Sequence, residues 1–119
     1  MTDHGQGTGA VAIGHKAGHS DQKYHAIAVG VDAGYTGQGT GSVAIGAEAG
    51  QINQRLECIA IGPSAGGNEQ QSHSIAIGSQ AGKNIQGTAS IALGQNAGMA
   101  DQSQNATAIG PNAGQSGQG

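Results

Sequence analysis

At 119 residues the chain is long enough for one ordinary domain, but 24 Gly, no Phe or Trp and only 9% charged residues do not describe an ordinary globular core. Four basic residues against seven acidic ones, a formal net charge of −3, exclude the electrostatic footprint of a nucleic-acid-binding protein. No apolar run approaches the roughly 20 residues of a membrane-spanning helix, and the single Cys58 excludes an intramolecular disulfide framework.

Residues 1–5 are a short lead-in, Met1-Thr2-Asp3-His4-Gly5, with neither a basic n-region nor an apolar h-region, so no signal peptide is expected. From Gln6 onward the chain repeats with a strict 16-residue period and no insertion, and residues 6–119 are expected to form one domain. The first unit carries Ala10-Val11-Ala12-Ile13-Gly14, then Ala17-Gly18. The second carries Ala26-Ile27-Ala28-Val29-Gly30 and Ala33-Gly34, and the third Ser42-Val43-Ala44-Ile45-Gly46 and Ala49-Gly50. The fourth has Cys58-Ile59-Ala60-Ile61-Gly62 with Ala65-Gly66, and the fifth Ser74-Ile75-Ala76-Ile77-Gly78 with Ala81-Gly82. Ser90-Ile91-Ala92-Leu93-Gly94 with Ala97-Gly98 and Ala106-Thr107-Ala108-Ile109-Gly110 with Ala113-Gly114 complete the series. A glutamine keeps its place throughout: Gln6, Gln22, Gln38, Gln54, Gln70, Gln86, Gln102 and Gln118.

Alternation of aliphatic and small residues over about five positions is a strand signal, and each strand is closed by Gly. A 16-residue unit is too short for a strand plus a crossover helix, and suits two short strands and two turns. The fold class predicted is therefore all-β, a parallel β-solenoid or β-roll of seven 16-residue coils. Stacked at about 4.8 Å per coil, these make a rod roughly 34 Å long.

Three rows of the coil invite a physical reading. Val11, Ile13, Ile27, Val29, Val43, Ile45, Ile59, Ile61, Ile75, Ile77, Ile91, Leu93 and Ile109 are expected to form an aliphatic core ladder, like on like. The intervening Ala12, Ala28, Ala44, Ala60, Ala76, Ala92 and Ala108 point to the other side of the strand. Polar residues would drift into that row if it faced water, so it is expected to pack against neighbouring chains. The Gln row either forms an amide ladder along the axis or bonds back to turn carbonyls. Cys58 occupies a slot otherwise held by Ala or Ser and is expected to be buried and structural. Two aliphatic side chains per coil are little burial against the backbone entropy of ordering a whole unit. That shortfall predicts a homo-oligomer.

Ser42-Val43-Ala44-Ile45-Gly46 and Ser74-Ile75-Ala76-Ile77-Gly78 closely resemble the SVAIG motif of the heads of trimeric autotransporter adhesins, the YadA-like family. Ala10-Val11-Ala12-Ile13-Gly14 and Cys58-Ile59-Ala60-Ile61-Gly62 are near variants, and the resemblance runs through all seven units, about residues 6–118. It implies a left-handed parallel β-roll, homotrimeric, used in adhesion at an extracellular surface. The strict 16-residue period departs from the shorter coil of that family. The AIGxxAG and Gln-Gly form is also similar to repeats in fibres of large viruses and phage tails.

Catalytic chemistry finds little support. His4, His15, His19, His25 and His73 make no common row, and Asp3, Asp21, Asp32, Glu48, Glu57, Glu69 and Asp101 fall at variable turn positions. Gly5-Gln6-Gly7-Thr8-Gly9 lacks the strand, helix and Lys of a phosphate loop. No Asp row exists for calcium, and Thr8, Thr40 and Thr88 are too interrupted for an ice-binding face. Asn105-Ala106-Thr107 is formally a glycosylation sequon within the strand motif. The expectation is no enzyme, no cofactor and no metal. The repeat runs to Gly117-Gln118-Gly119, in phase with Gly5-Gln6-Gly7. This is expected of a fibre subunit that polymerises head to tail, the alternative being a piece of a longer fibre. A second functional expectation is an adhesin-head or tail-fibre module whose variable turns, such as Lys23-Tyr24-His25 and Arg55-Leu56-Glu57, contact a receptor.

Overall fold

The computed structural model describes residues 6–116, and among them it is all-β, without a helix. The alternating segments become seven three-residue strands: β1 (Val11–Ile13), β2 (Ile27–Val29), β3 (Val43–Ile45), β5 (Ile59–Ile61), β7 (Ile75–Ile77), β8 (Ile91–Leu93) and β9 (Thr107–Ile109). They form one parallel sheet in chain order, so that six full turns of a β-solenoid separate β1 from β9. Every pairing joins equivalent residues of successive units: Val43 opposes Ile59, Ala44 opposes Ala60 and Ile45 opposes Ile61. A second, weaker sheet lies on the other side of the coil. Only β4 (Ile52–Gln54) and β6 (Asn68–Gln70) are full strands there, extended by bridges such as Ser20–Thr36 and Gln86–Gln102. The rod measures 39 × 21 × 15 Å. No helix among the described residues is long and apolar enough to cross a membrane.

The backbone of each coil is bonded to the next. Val43 N–H donates to Cys58 O at 2.8 Å, Gly46 N–H to Val29 O at 2.8 Å, and Glu48 N–H to Val31 O at 2.8 Å. The corners need unusual backbone. Gly46 has φ +125°, and a Cβ there would lie 2.8 Å from the carbonyl carbon of Gly62, so coils could not close to ladder distance. Among the described residues, sixteen non-glycine ones also adopt positive φ between +37° and +63°, including Lys16, Asp32, Glu48, Ser64, Gln80, Asn96 and Asn112, which share one corner. None is β-branched, as sterics require.

The orientation of the strands corrects the sequence-based assignment of faces. Ala28, Ala44, Ala60, Ala76 and Ala92 are fully buried inside the coil, with Ala108 nearly so and Ala12 partly. They meet the second Ala row, Ala17, Ala33, Ala49, Ala65, Ala81 and Ala97, across the interior. The row does not face a neighbouring chain. The aliphatic pair, placed as the core, stands on the outside: Ile45 and Ile77 in the middle of the rod are 38% and 39% exposed, and Ile13 and Ile109, in the first and last coils described, 60% and 64%. The like-on-like ladder exists, but along an outer face. The cause is thickness. A 16-residue coil closes tightly enough that Ala, Ser, Cys and one Gln fill it, and a pair of Ile would overpack it.

Candidate functional site

The interior is built around the glutamines. Gln22, Gln38, Gln54, Gln70 and Gln86 are completely buried and Gln102 nearly so, the largest side chains in the core. Each sends its Nε2–H to the carbonyl of the first residue of the preceding outer strand. Gln54 Nε2 donates to Val43 O at 2.8 Å, Gln70 to Ile59 O at 2.7 Å, Gln86 to Ile75 O at 2.6 Å and Gln102 to Ile91 O at 2.7 Å. Gln22 and Gln38 bond Val11 O and Ile27 O in the same way. Two coil-to-coil amide bonds add to this, Gln22 Nε2 to Gln38 Oε1 and Gln54 Nε2 to Gln70 Oε1, both at 3.0 Å. Both forms anticipated for the row therefore occur together. Gln6, at the first coil, is half-buried and reaches Ala10 O at 3.4 Å, and Gln118 lies outside the described residues.

The glutamines also account for the second Gly of each unit. A Cβ on Gly50 would lie 2.9 Å from both Cδ and Oε1 of Gln54, so the amide occupies the space a side chain at that Gly would need. Gly and Gln are one packing unit.

Cys58 is buried, as its small-residue row implied, and its Sγ–H donates to Gln71 O at 2.8 Å. Burial pushes the thiol pKa up, outweighing the Ser74 contacts that pull it down, so the thiol is held neutral. Ser42, Ser74 and Ser90 fill the same row and close their turns by donating to Gly39 O, Gln71 O and Gly87 O at 2.6–2.7 Å.

On the outside, the histidines are dispersed. His19 stacks on Tyr35 with ring centroids 4.9 Å apart and its Nδ1 lies 3.0 Å from Ser20 Oγ. His73 Nδ1 lies 3.2 Å from Glu57 Oε1, both well exposed. His4 and Asp3 lie outside the described residues. Among the described residues no group of three or more His, Cys, Asp or Glu is placed to hold a metal ion. The turns Lys23-Tyr24-His25 and Arg55-Leu56-Glu57 are exposed on the edge that precedes the outer sheet. A cleft of about 420 Å3 lies between the first two coils, lined by Gln6, Gly7, Thr8, Asp21, Gln22, Lys23 and Tyr24.

The largest continuous feature is thus the outer sheet itself. Two rows of Val, Ile and Leu, broken only by Thr107, run the length of seven strands. The signal for this face was present in the parity of the strand. Cys58 and Ala60 must share a side, so a buried small slot at position 58 already places Ile59 and Ile61 outside. Comparison with protein-family models, with curated proteins and with solved structures finds no match. The class that fold and interior define is a parallel β-solenoid filled by Ala and Gln.

Proposed function

We propose that the chain is a non-catalytic structural protein whose solenoid rods associate through the outer aliphatic sheet, as homotrimers, and stack end to end into a fibre. One observation carries the reading: the large apolar side chains stand outside the fold while its interior holds Ala, Ser, Cys and Gln. Isolated exposed aliphatics are ordinary, but two long rows on one sheet mark an interaction surface. Burying a Val or Ile fully is worth about 1.5–3 kcal/mol; stacking on the next coil leaves Ile27, Val29, Val43, Ile59, Ile61, Ile75, Ile91 and Leu93 half-buried, and the rest of that gain is open to another molecule. The resemblance of Ser42-Val43-Ala44-Ile45-Gly46 to the heads of trimeric adhesins supports three copies. End-to-end stacking is supported by the coil itself, whose donors and acceptors above and below recur in every unit, so that one coil is a template for the next.

Multi-angle light scattering and negative-stain microscopy at two concentrations test this. Trimers or uniform threads are expected for the wild type, and Ile61→Asp, on the outer face, is expected to give a folded smaller species. A wild type that stays monomeric at every concentration refutes the reading. The second reading, a receptor-binding rod, is favoured by the confinement of variable, exposed residues to turns such as Lys23-Tyr24-His25.

A further inference from the structure

The cleft between the first two coils lies off the outer sheet, and no residue of an outer strand lines it. Gly7 brings the first coil against the second with no side chain between them, since a Cβ there would lie 2.6 Å from the backbone of Lys23 and Tyr24. Thr8, Asp21, Lys23 and Tyr24 stand exposed around the opening, with Gln6 half-buried beside them. Fully buried Gln22 lines the cleft as well. Its Nε2 is committed to Val11 O at 2.8 Å and to Gln38 Oε1 at 3.0 Å, while its buried Oε1 has no partner.

The same turn recurs along the rod with different neighbours. Gln6-Gly7-Thr8 returns as Gln38-Gly39-Thr40 and as Gln86-Gly87-Thr88. The coil that follows faces the second with Asn53, Arg55 and Leu56, and the third with Asp101, Ser103 and Gln104. Of the three, the first alone is faced by a carboxylate, an ammonium and an aromatic ring together, from Asp21, Lys23 and Tyr24. The other tyrosine, Tyr35, is stacked on His19, whereas Tyr24 is 59% exposed.

These groups select a class of ligand. One carboxylate beside one ammonium leaves the cleft without net charge, so it favours neither a polyanion nor a polycation. Asp21 only accepts hydrogen bonds and Lys23 only donates them, while Thr8 and Gln6 do both, which suits a ligand with donors and acceptors on one small frame. An exposed aromatic ring beside them is matched by an apolar face. A sugar ring offers both, with hydroxyls at its rim and C–H bonds across its face. Enclosed small-molecule sites bury most of their ligand, and this cleft is open, so it fits one ring of a longer chain better than a free small molecule. Rods that associate present several such clefts at once, and weak single contacts then add as avidity.

Resting on the second reading, of the rod as a receptor binder, we infer that this cleft takes one ring of an uncharged glycan, which stacks on Tyr24 and hydrogen-bonds Asp21, Lys23 and Thr8 through its hydroxyls.

An array printed with neutral, sialylated and sulfated oligosaccharides, probed with the full chain, tests the inference. The third coil supplies the substitutions, because Gly37 and Thr40 hold the places of Asp21 and Tyr24 there. The wild type is expected to bind neutral spots. Tyr24→Thr and Asp21→Gly are each expected to lower that signal about tenfold or more, and Tyr24→Phe, which keeps the ring, to change it less than about threefold. Circular dichroism and light scattering confirm that each variant folds and associates like the wild type. Free methyl glycosides of the bound sugars are expected to compete the wild-type signal away, a reading that needs no substitution. A wild type that binds no neutral spot, or whose signal is confined to sialylated and sulfated spots, overturns the inference. Signal that survives both Y24T and D21G overturns it too; where Leu56→Ser then abolishes that signal, receptor binding stands and belongs to another turn.

Discussion

Replacing Gln54 and Gln86 separately by Leu isolates what the coil-to-coil amide bond contributes. Both side chains are fully buried, and Leu nearly conserves their volume, so the difference between the variants is one of hydrogen bonding. Each glutamine also buries an Oε1 that has no partner, and Leu removes that orphan in both cases. Gln86 donates to Ile75 O, so Q86L exchanges one lost bond for one relieved orphan. It is expected to fall within about 1 kcal/mol of the wild type. Gln54 donates both to Val43 O and to Gln70 Oε1. Its loss removes two bonds and leaves Gln70 Oε1 without a donor in a dry interior. At about 0.5–1.5 kcal/mol per bond and about 1–3 kcal/mol per orphaned acceptor, created or relieved, Q54L is expected to cost about 2 kcal/mol. Urea unfolding followed by circular dichroism, at one fixed protein concentration, reads the difference. Equal destabilisation by the two substitutions would refute the claim that the coil-to-coil amide bond, not the filling of space, makes position 54 special.

Ala60→Leu is expected to destabilise by about 3 kcal/mol or to prevent folding, because it overpacks a closed interior, whereas Ile59→Ala in the adjacent outward, half-buried position is expected to cost less; thermal melts of the two decide. Gly46→Ala meets the Gly62 carbonyl carbon at 2.8 Å, but a Cβ on Gly110 meets nothing within 4 Å, so in the described fold G46A is expected to lose more stability than G110A, at least about 1 kcal/mol more by chemical denaturation. Glu48→Gly relieves a left-handed residue at φ +61° on the surface and is expected to raise the unfolding free energy, read by urea unfolding, by up to about 1 kcal/mol, a result opposite to that usual for Gly substitution. The raised pKa of Cys58 makes the folded thiol bind its proton more tightly than the unfolded one. Stability is therefore expected to be flat below the ordinary thiol value of 9.0 and to fall as pH rises above it, a fall that C58S lacks when the two are unfolded by urea across that range.

The solenoid was legible because its period is rigid. Gly14, Gly30, Gly46, Gly62, Gly78 and Gly94 each take a positive φ against the backbone of the next coil, where a Cβ has no room, and that constraint writes itself into the chain once in every unit. Which face was inside was harder to read, because hydrophobicity and size point in opposite directions here. Ile59 and Ile61 are the more apolar, but Ala60 is the one that fits, and in a coil this thin steric fit overrules transfer free energy. Cys58 and Ser74 held the answer, since a small row of the same parity as Ala has to share its face. The role of Gly50 was not legible at all. It depends on the Gln54 amide folding back over its own turn, a contact that no residue pattern spells out.

The uniform register also governs how such a chain can acquire its structure. Each strand finds its partner one coil away, however far it lies from the first, so every added coil closes a loop of constant length and constant entropic cost. Order can then advance along the chain in the direction of synthesis, each finished coil serving as the surface on which the next is laid down. A lengthened gene would yield a longer rod without a slower step.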